Sequence, residues 1–134
     1  MIDRPNVAAV SIEATPRELG EAVRTLGHTR LLVVGDGGID DPRGFIHAKD
    51  LLSVSEIELD ETFSPLLMRR ALRVPREQHL KELLLDMRTS RVHFALVAND
   101  DESTAGIVTL DDILEELVGD VADELEPKNL PTGE

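Results

Sequence analysis

Two short strand-to-helix junctions carry the residue types best suited to binding chemistry. GFIHAKDLL runs from Gly44 to Leu52, and GIVTLDDIL runs from Gly106 to Leu114, sixty-two residues later. In the second junction Thr109 ends a strand and Asp112 falls in the first helical turn, where free backbone N–H groups favour an anion. A hydroxyl three residues before a carboxylate puts both at one rim, an arrangement that suits a nucleotide. In such a site the carboxylate can accept hydrogen bonds from two ribose hydroxyls, while Thr109 and the helix start can meet the first phosphate. The first junction keeps the carboxylate as Asp50 but replaces the hydroxyl by His47 and sets Lys49 before it. The two sites are therefore expected to be unequal, with the one on Thr109 and Asp112 the stronger. Each pair also has a structural reading as an N-cap, because Asp and Thr are both at home near a helix start. It is the duplication that points beyond capping.

The elements that position these junctions repeat as well. TPREL at Thr15–Leu19 and VPREQHL at Val74–Leu80 are expected to open matching helices. Thr15 is a good N-cap, Pro16 suits the first helical position, and Glu18 can close a capping box. Leu19, Ala22, Val23 and Leu26 then line one face, as do Leu80, Leu83, Leu84 and Met87 in the second copy. Arg30–Val34 and Val92–Val97 read as buried strands, joined onward by turns at Gly35–Arg43 and Ala98–Thr104. Each unit is thus strand, helix, strand, strand, helix, an internal duplication that organises the chain. At the end of the last helix, Val118, Gly119 and Val121 are expected to continue the packing face of Leu114 and Leu117.

Composition narrows the function classes. At 134 residues the chain is about one domain long, and each half alone would bury only a modest part of its surface, so the halves should share a core. A net charge of −13 argues against nucleic-acid binding, and 2% aromatic residues leave nothing for base stacking. Apolar runs are too short to cross a bilayer, no signal peptide is visible, and the absence of cysteine fits a reducing compartment. These features together point to a cytosolic module.

Asp100–Glu126 holds eleven carboxylates and no lysine or arginine, which reads as a solvated helix face or, alternatively, a divalent-cation site. Arg69, Arg70, Arg73 and Arg76 cluster between the repeats, either as a polar linker or as an anion site. His28, His47, His79 and His93 show no metal-ligand spacing. No GxxxxGK loop, GxSxG elbow or HExxH helix is present, so no metal centre and no catalytic residue is expected.

At this point the residues resemble a known family. GHTRLLVV with GFIHAKDLL looks like the first repeat of a paired CBS domain, and FALV with TAGIVTLDDILEELVGDV looks like its second repeat. The run GIVTLDDILEELVGD is similar in particular to the version in CorC/CNNM magnesium and cobalt transporters, also called hemolysin-like. The resemblance implies a mixed α/β (α+β) fold of tandem repeats packed about a pseudo-twofold axis. The first repeat would span residues 1–54, a connector 55–70, the second repeat 71–122 and an acidic linker 123–134.

It also implies a regulatory, non-catalytic module that binds adenine nucleotide (ATP, or AMP or ADP), with magnesium, and forms a homodimer. By position, Thr109 and Asp112 match the family's ribose-binding pair. His28, Thr29 and Arg30 match the strand facing the same pocket, with Arg30 meeting phosphates. Leu32 stands where the family usually has proline, and Ile2 matches the segment covering the base. Arg91 would line a weaker or empty pseudo-symmetric pocket with His47, Asp50 and His93. NDDEST at Asn99–Thr104 lacks the family's glycine, so its turn must differ. A transmembrane domain would precede residue 1, making this chain a fragment of a membrane protein's cytoplasmic part. A module that only dimerises, with a vestigial pocket, is the alternative.

Overall fold

In the computed structural model, which describes residues 1–125, local chemistry accounts for most of the elements. Thr15 Oγ1 accepts the Glu18 N–H at 3.2 Å and Glu18 Oε1 accepts the Thr15 N–H at 2.9 Å, closing the expected capping box ahead of helix α1, Pro16–Leu26. Gly27 ends that helix in the left-handed region at φ 71°, where a side chain is disfavoured. On α1, Leu19 is buried and Ala22 and Val23 pack against the core, whereas Leu26 at the last turn is 48% exposed and does not extend the stripe.

The second helix begins later than its resemblance to the first suggests. Val74 and Pro75 end a strand, and α2 spans Leu80–Ser90 with His79 at its N-cap. Val74 pairs with Val97 in a parallel ladder, so tertiary pairing overrides the local likeness, and Pro75 sits at the strand end where its missing donor costs little.

Among the described residues seven strands follow in order: β1 Ile2–Asp3, β2 Ala9–Ser11, β3 Arg30–Val34, β4 Pro42–His47, β5 Leu72–Pro75, β6 Phe94–Ala98 and β7 Thr104–Thr109. They form a three-stranded sheet β2-β3-β4 and a four-stranded sheet β1-β7-β6-β5. The repeat is visible in the register. Arg30 pairs with His47 and Val33 with Gly44, Phe94 pairs with Thr109 and Val97 with Gly106, and each ladder shifts immediately afterwards. In both halves the helix crosses between parallel strands, β2 to β3 and β5 to β6, as parallel pairing requires.

The strands are apolar on both faces because both faces are covered. Leu31 and Val33 face Leu19, Ile46 and Phe63 in one core, and Ala95 and Val97 face Leu83, Met87 and Ile113 in another. The alternate residues Leu32, Phe45, Phe94, Leu96 and Ile107 build a third core between the sheets, where the Phe45 and Phe94 rings stack with centroids 4.4 Å apart. The halves therefore share a core, as their size demands.

Two final elements differ from expectation. Directly after β4 the chain forms a six-residue 3-10 helix, Ala48–Ser53, in place of the expected α-helix, where Ser53 donates to the Asp50 carbonyl at 2.9 Å and Val54 N–H to that of Leu51. These i,i+3 closures end the turn before an α-helix can propagate. After β7, helix α3 runs Leu110–Leu125. Residues 123–125 of the expected linker belong to it, and residues 126–134 lie outside the described residues. Ile113 and Leu117 pack inward on α3, but Leu114, Val118 and Val121 are exposed rather than part of the packing face. No helix among the described residues is long and apolar enough to cross a membrane.

Candidate functional site

Each strand-to-helix junction is pinned by the residue just ahead of the neighbouring strand, and Arg30 lines the cavities at both junctions. The Ala48 N–H donates to the Thr29 carbonyl at 2.7 Å and the Leu110 N–H to the His93 carbonyl at 3.0 Å. The segments before β3 and β6 thereby lie beside the junctions after β4 and β7.

At the second junction, the Thr109 N–H donates to Asp112 Oδ2 at 3.4 Å and the Asp112 N–H donates to Thr109 Oγ1 at 3.3 Å. Both contacts are long, so they hold the pair in place and leave lone pairs on the carboxylate for another donor. A cavity of about 220 Å³ lies there, lined by Ile2, Ala8, His28, Thr29, Arg30, Ile107, Thr109, Asp111 and Asp112. Six of the residues singled out in the sequence thus meet around one space, from three segments distant in the chain. Leu32 does not reach it. It shares the Arg30 face of β3 but lies two residues further in, fully buried beneath Phe45 and Phe94. Asp111 joins the lining without having been singled out, although its place beside Asp112 at the helix start was the available signal.

Ile2 reaches the cavity because β1 pairs with β7, Ile2 opposite Ile107 and Asp3 opposite Gly106. A Cβ on Gly106 would collide with the Ile2 carbonyl, so this close approach requires glycine. Arg4, just beyond, forms an ion pair with Asp40 and donates to the Thr104 carbonyl at 3.0 Å. Asp40 also accepts the Thr104 N–H at 2.9 Å, and with Arg4 beside it its carboxyl pKa falls to about 2. The N-terminal segment is thereby tied to turns of both repeats.

The first junction is built on the same plan and filled differently. Arg69 bridges to Phe45 on β4 as Ile2 pairs with Ile107 on β7, and a Cβ on Gly44 would lie 2.5 Å from the Arg69 carbonyl. Where the second junction has the apolar Ile2, the first therefore has a guanidinium. Arg69 Nε and Nη2 grip Asp50 at 2.8 and 2.6 Å, and Asp50 Oδ2 also accepts the His47 N–H at 3.2 Å. The Arg69 hydrogen bonds hold the Asp50 carboxyl below its ordinary range. Asp50, expected to line this second pocket, is not on its wall.

The space itself, about 310 Å³, is lined by His47, Arg91 and His93 as expected, and also by Arg30, Phe45, Lys49, Arg69, Arg70 and Val92. Of the basic cluster noted in the sequence, Arg69 and Arg70 face this cavity. Arg73 instead donates to the Glu102 carbonyl at 2.7 Å and Arg76 to Asn99 Oδ1 at 3.1 Å, both securing the glycine-free β6–β7 turn, where Glu102 itself takes φ 70°. Among the described residues, no group of three or more His, Cys, Asp or Glu side chains is placed to hold a metal ion.

Known proteins carry the same architecture. The CBS domain profile matches residues 2–57 and again 64–119. A hemolysin C homolog of Rickettsia massiliae is 34% identical over 125 residues, 92% of this chain and 41% of that protein, so the chain spans well under half the length of such relatives. The CBS domain of a bacterial CNNM/CorC family Mg2+ transporter superposes with a TM-score of 0.84 at 32% identity, covering 89% of this chain and 72% of that one. The same kind of domain solved in complex with ATP gives a TM-score of 0.83 at 32% identity, over 89% of this chain and 84% of that one. With two complete repeats, a shared inter-sheet core and these likenesses, the chain belongs to the CBS domain family as a tandem pair of the CNNM/CorC, hemolysin-like type.

Proposed function

We propose that this chain is the cytoplasmic regulatory module of a CorC/CNNM-type divalent-cation transporter and binds an adenine nucleotide, foremost ATP with magnesium, at Thr109 and Asp112. The observation that carries this reading is the convergence of Ile2, His28, Thr29, Arg30, Thr109 and Asp112 on one cavity. Asp112 is suited to the ribose hydroxyls, Ile2 to the face of the base and Arg30 to phosphate, and magnesium would arrive on the phosphate oxygens. The ATP complex of a similar CBS domain supports the choice of ligand. The role is regulatory, since CBS domains are not catalytic modules. Binding acts on an attached membrane domain only through a difference in affinity between two arrangements of the module.

The module is also proposed to act as a homodimer. Leu114, Val118 and Val121, spaced i, i+4, i+7 on α3, are 42%, 65% and 51% exposed, an apolar stripe suited to a second copy. Sedimentation should give a dimer at micromolar concentration, tightened by ATP and magnesium, and a monomer under both conditions would remove this part.

A second reading, a dimerisation scaffold with a vestigial pocket, draws on the reciprocal cap of Thr109 and Asp112 and on a cavity below the roughly 300–1,000 Å³ usual for ligand sites. Calorimetric titration with ATP, ADP and AMP, with and without magnesium, separates the two. Asp112→Ala removes a charged hydrogen-bond partner and should cost about 1.5–3 kcal/mol, roughly 10- to 150-fold in affinity. Asp50→Ala should change nucleotide affinity far less. No heat with any nucleotide to millimolar concentration would leave the scaffold.

A further inference from the structure

The cavity at the first junction concentrates positive charge in a chain of net charge −13. Five of the fourteen lysines and arginines line it: Arg30, Lys49, Arg69, Arg70 and Arg91. Only Arg69 has a carboxylate. Among the described residues, the ion pairs are Arg4 with Asp40, Arg17 with Asp60, Arg43 with Asp41 and Arg69 with Asp50, so the other four cations converge without a direct ion-pair partner. His47 registers that field: burial, and then the charges of Arg30, Lys49 and Arg69, push its pKa below the ordinary value.

The backbone adds an independent observation. Arg91 closes α2 in the left-handed region at φ 59°, the place where α1 uses Gly27 at φ 71°. A non-glycine residue is disfavoured there, so arginine stands at a position where glycine would cost the backbone less.

We propose that this cavity is a site for a linked polyphosphate anion that excludes nucleosides. Arg69 fills the carboxylate a ribose would need, and Arg30, Lys49, Arg70 and Arg91 receive phosphate oxygens. Guanidinium groups suit this role because their planar donors match phosphate oxygens in pairs. Two sources share the chemistry. One is a free diphosphate. The other, which rests on the proposed nucleotide site, is the outer phosphates of a nucleotide seated next door, since Arg30 lines both cavities. In that case Asp111 and Asp112 at the neighbouring cavity repel the phosphates and this one draws them, making phosphate number the basis of selectivity.

The test uses the whole chain with inorganic pyrophosphate, AMP and ATP as calorimetric probes, on wild type, Arg91→Gly and Lys49→Gln. Arg91→Gly relieves the left-handed strain, so its melting temperature should equal or exceed wild type and lost binding is not misfolding. Pyrophosphate should bind wild type saturably and each variant at least 10-fold more weakly, with AMP affinity unchanged within twofold. Pyrophosphate displaced by ATP but not by AMP identifies the nucleotide tail as the source, and ATP affinity should then fall with that of pyrophosphate. Pyrophosphate binding beside saturating ATP identifies a free anion. Absence of pyrophosphate binding to millimolar concentration, with ATP affinity unchanged in both variants, overturns the proposal. Loss of AMP and ATP binding alone, with pyrophosphate retained, would instead refute the nucleotide reading.

Discussion

The Phe45–Phe94 stack holds the two repeats to one another, and its removal has a calculable effect. Phe94 is fully buried and Phe45 is 5% exposed, and the rings lie 4.4 Å apart at an interplanar angle of 12°. Truncating a buried phenylalanine to alanine costs about 3–5 kcal/mol from lost transfer energy and the cavity left behind. For a chain of this length that is roughly a 10–20 °C fall in melting temperature, taking about 4 °C per kcal/mol. Because each ring is part of the wall the other packs on, the losses are not independent. Stacked aromatic pairs are worth about 0.5–1.5 kcal/mol beyond area.

The cycle Phe45→Ala, Phe94→Ala and the double variant, followed by urea unfolding, should therefore show a coupling of that size, with the double variant less destabilised than the sum. Since the pair joins repeats that also share Leu32, Leu96 and Ile107, each single variant should still unfold in one transition with an unchanged m-value. Additivity within about 0.3 kcal/mol would refute the stack as an energetic unit. Two separated transitions in Phe94→Ala would refute the shared core as the source of cooperativity.

Other features make separate demands. Gly106→Ala sets a methyl group against the Ile2 carbonyl, so β1 must leave β7; overpacking of this kind costs about 1–3 kcal/mol, and nucleotide affinity should fall with it because Ile2 is withdrawn. Denaturation and calorimetry on the same preparation read both, and unchanged values would mean the strand has no such close approach. Asp40 has a folded pKa of about 2 against an ordinary 3.8, so its stabilisation is present above the ordinary value and is lost as pH falls through the folded one. The melting-temperature gap between wild type and Asp40→Asn should be constant above about pH 5 and close toward pH 2. A gap independent of pH would show that the Arg4–Asp40 ion pair contributes nothing.

The features legible in the sequence were those written in contiguous residues. The capping box of α1 needs only Thr15, Pro16 and Glu18, and the two junctions need only nine residues each, so both could be found without knowing what packs on them. Where pairing across the fold decides, local pattern misleads. VPRE resembles TPRE, yet Val74 is held as a strand by Val97, far along the chain. Leu32 could have been placed by strand alternation, which puts it on the Arg30 face, but its depth depends on two phenylalanines brought from β4 and β6. Arg69 was noted only as a member of a basic cluster, because its equivalence to Ile2 lies in what each strand edge pairs with rather than in any similarity of residue. Its grip on Asp50 is what most separates the two cavities.

The late closure of β1 onto β7 also fixes an order of events. Arg4 meets Thr104 across a separation of 100 residues, whereas β3 and β4 are joined by a short turn. Closing a loop of that length costs about 2 kcal/mol more than closing one of ten residues, and such contacts form slowly relative to local ones. During synthesis the first strand must wait until nearly the whole of the second repeat has emerged before it finds its partner. A refolding experiment should accordingly show sheet and helix signals recovering before any signal that depends on Ile2. A ligand that needs Ile2 in place meets a competent molecule only after the first strand of the module has become the last to dock.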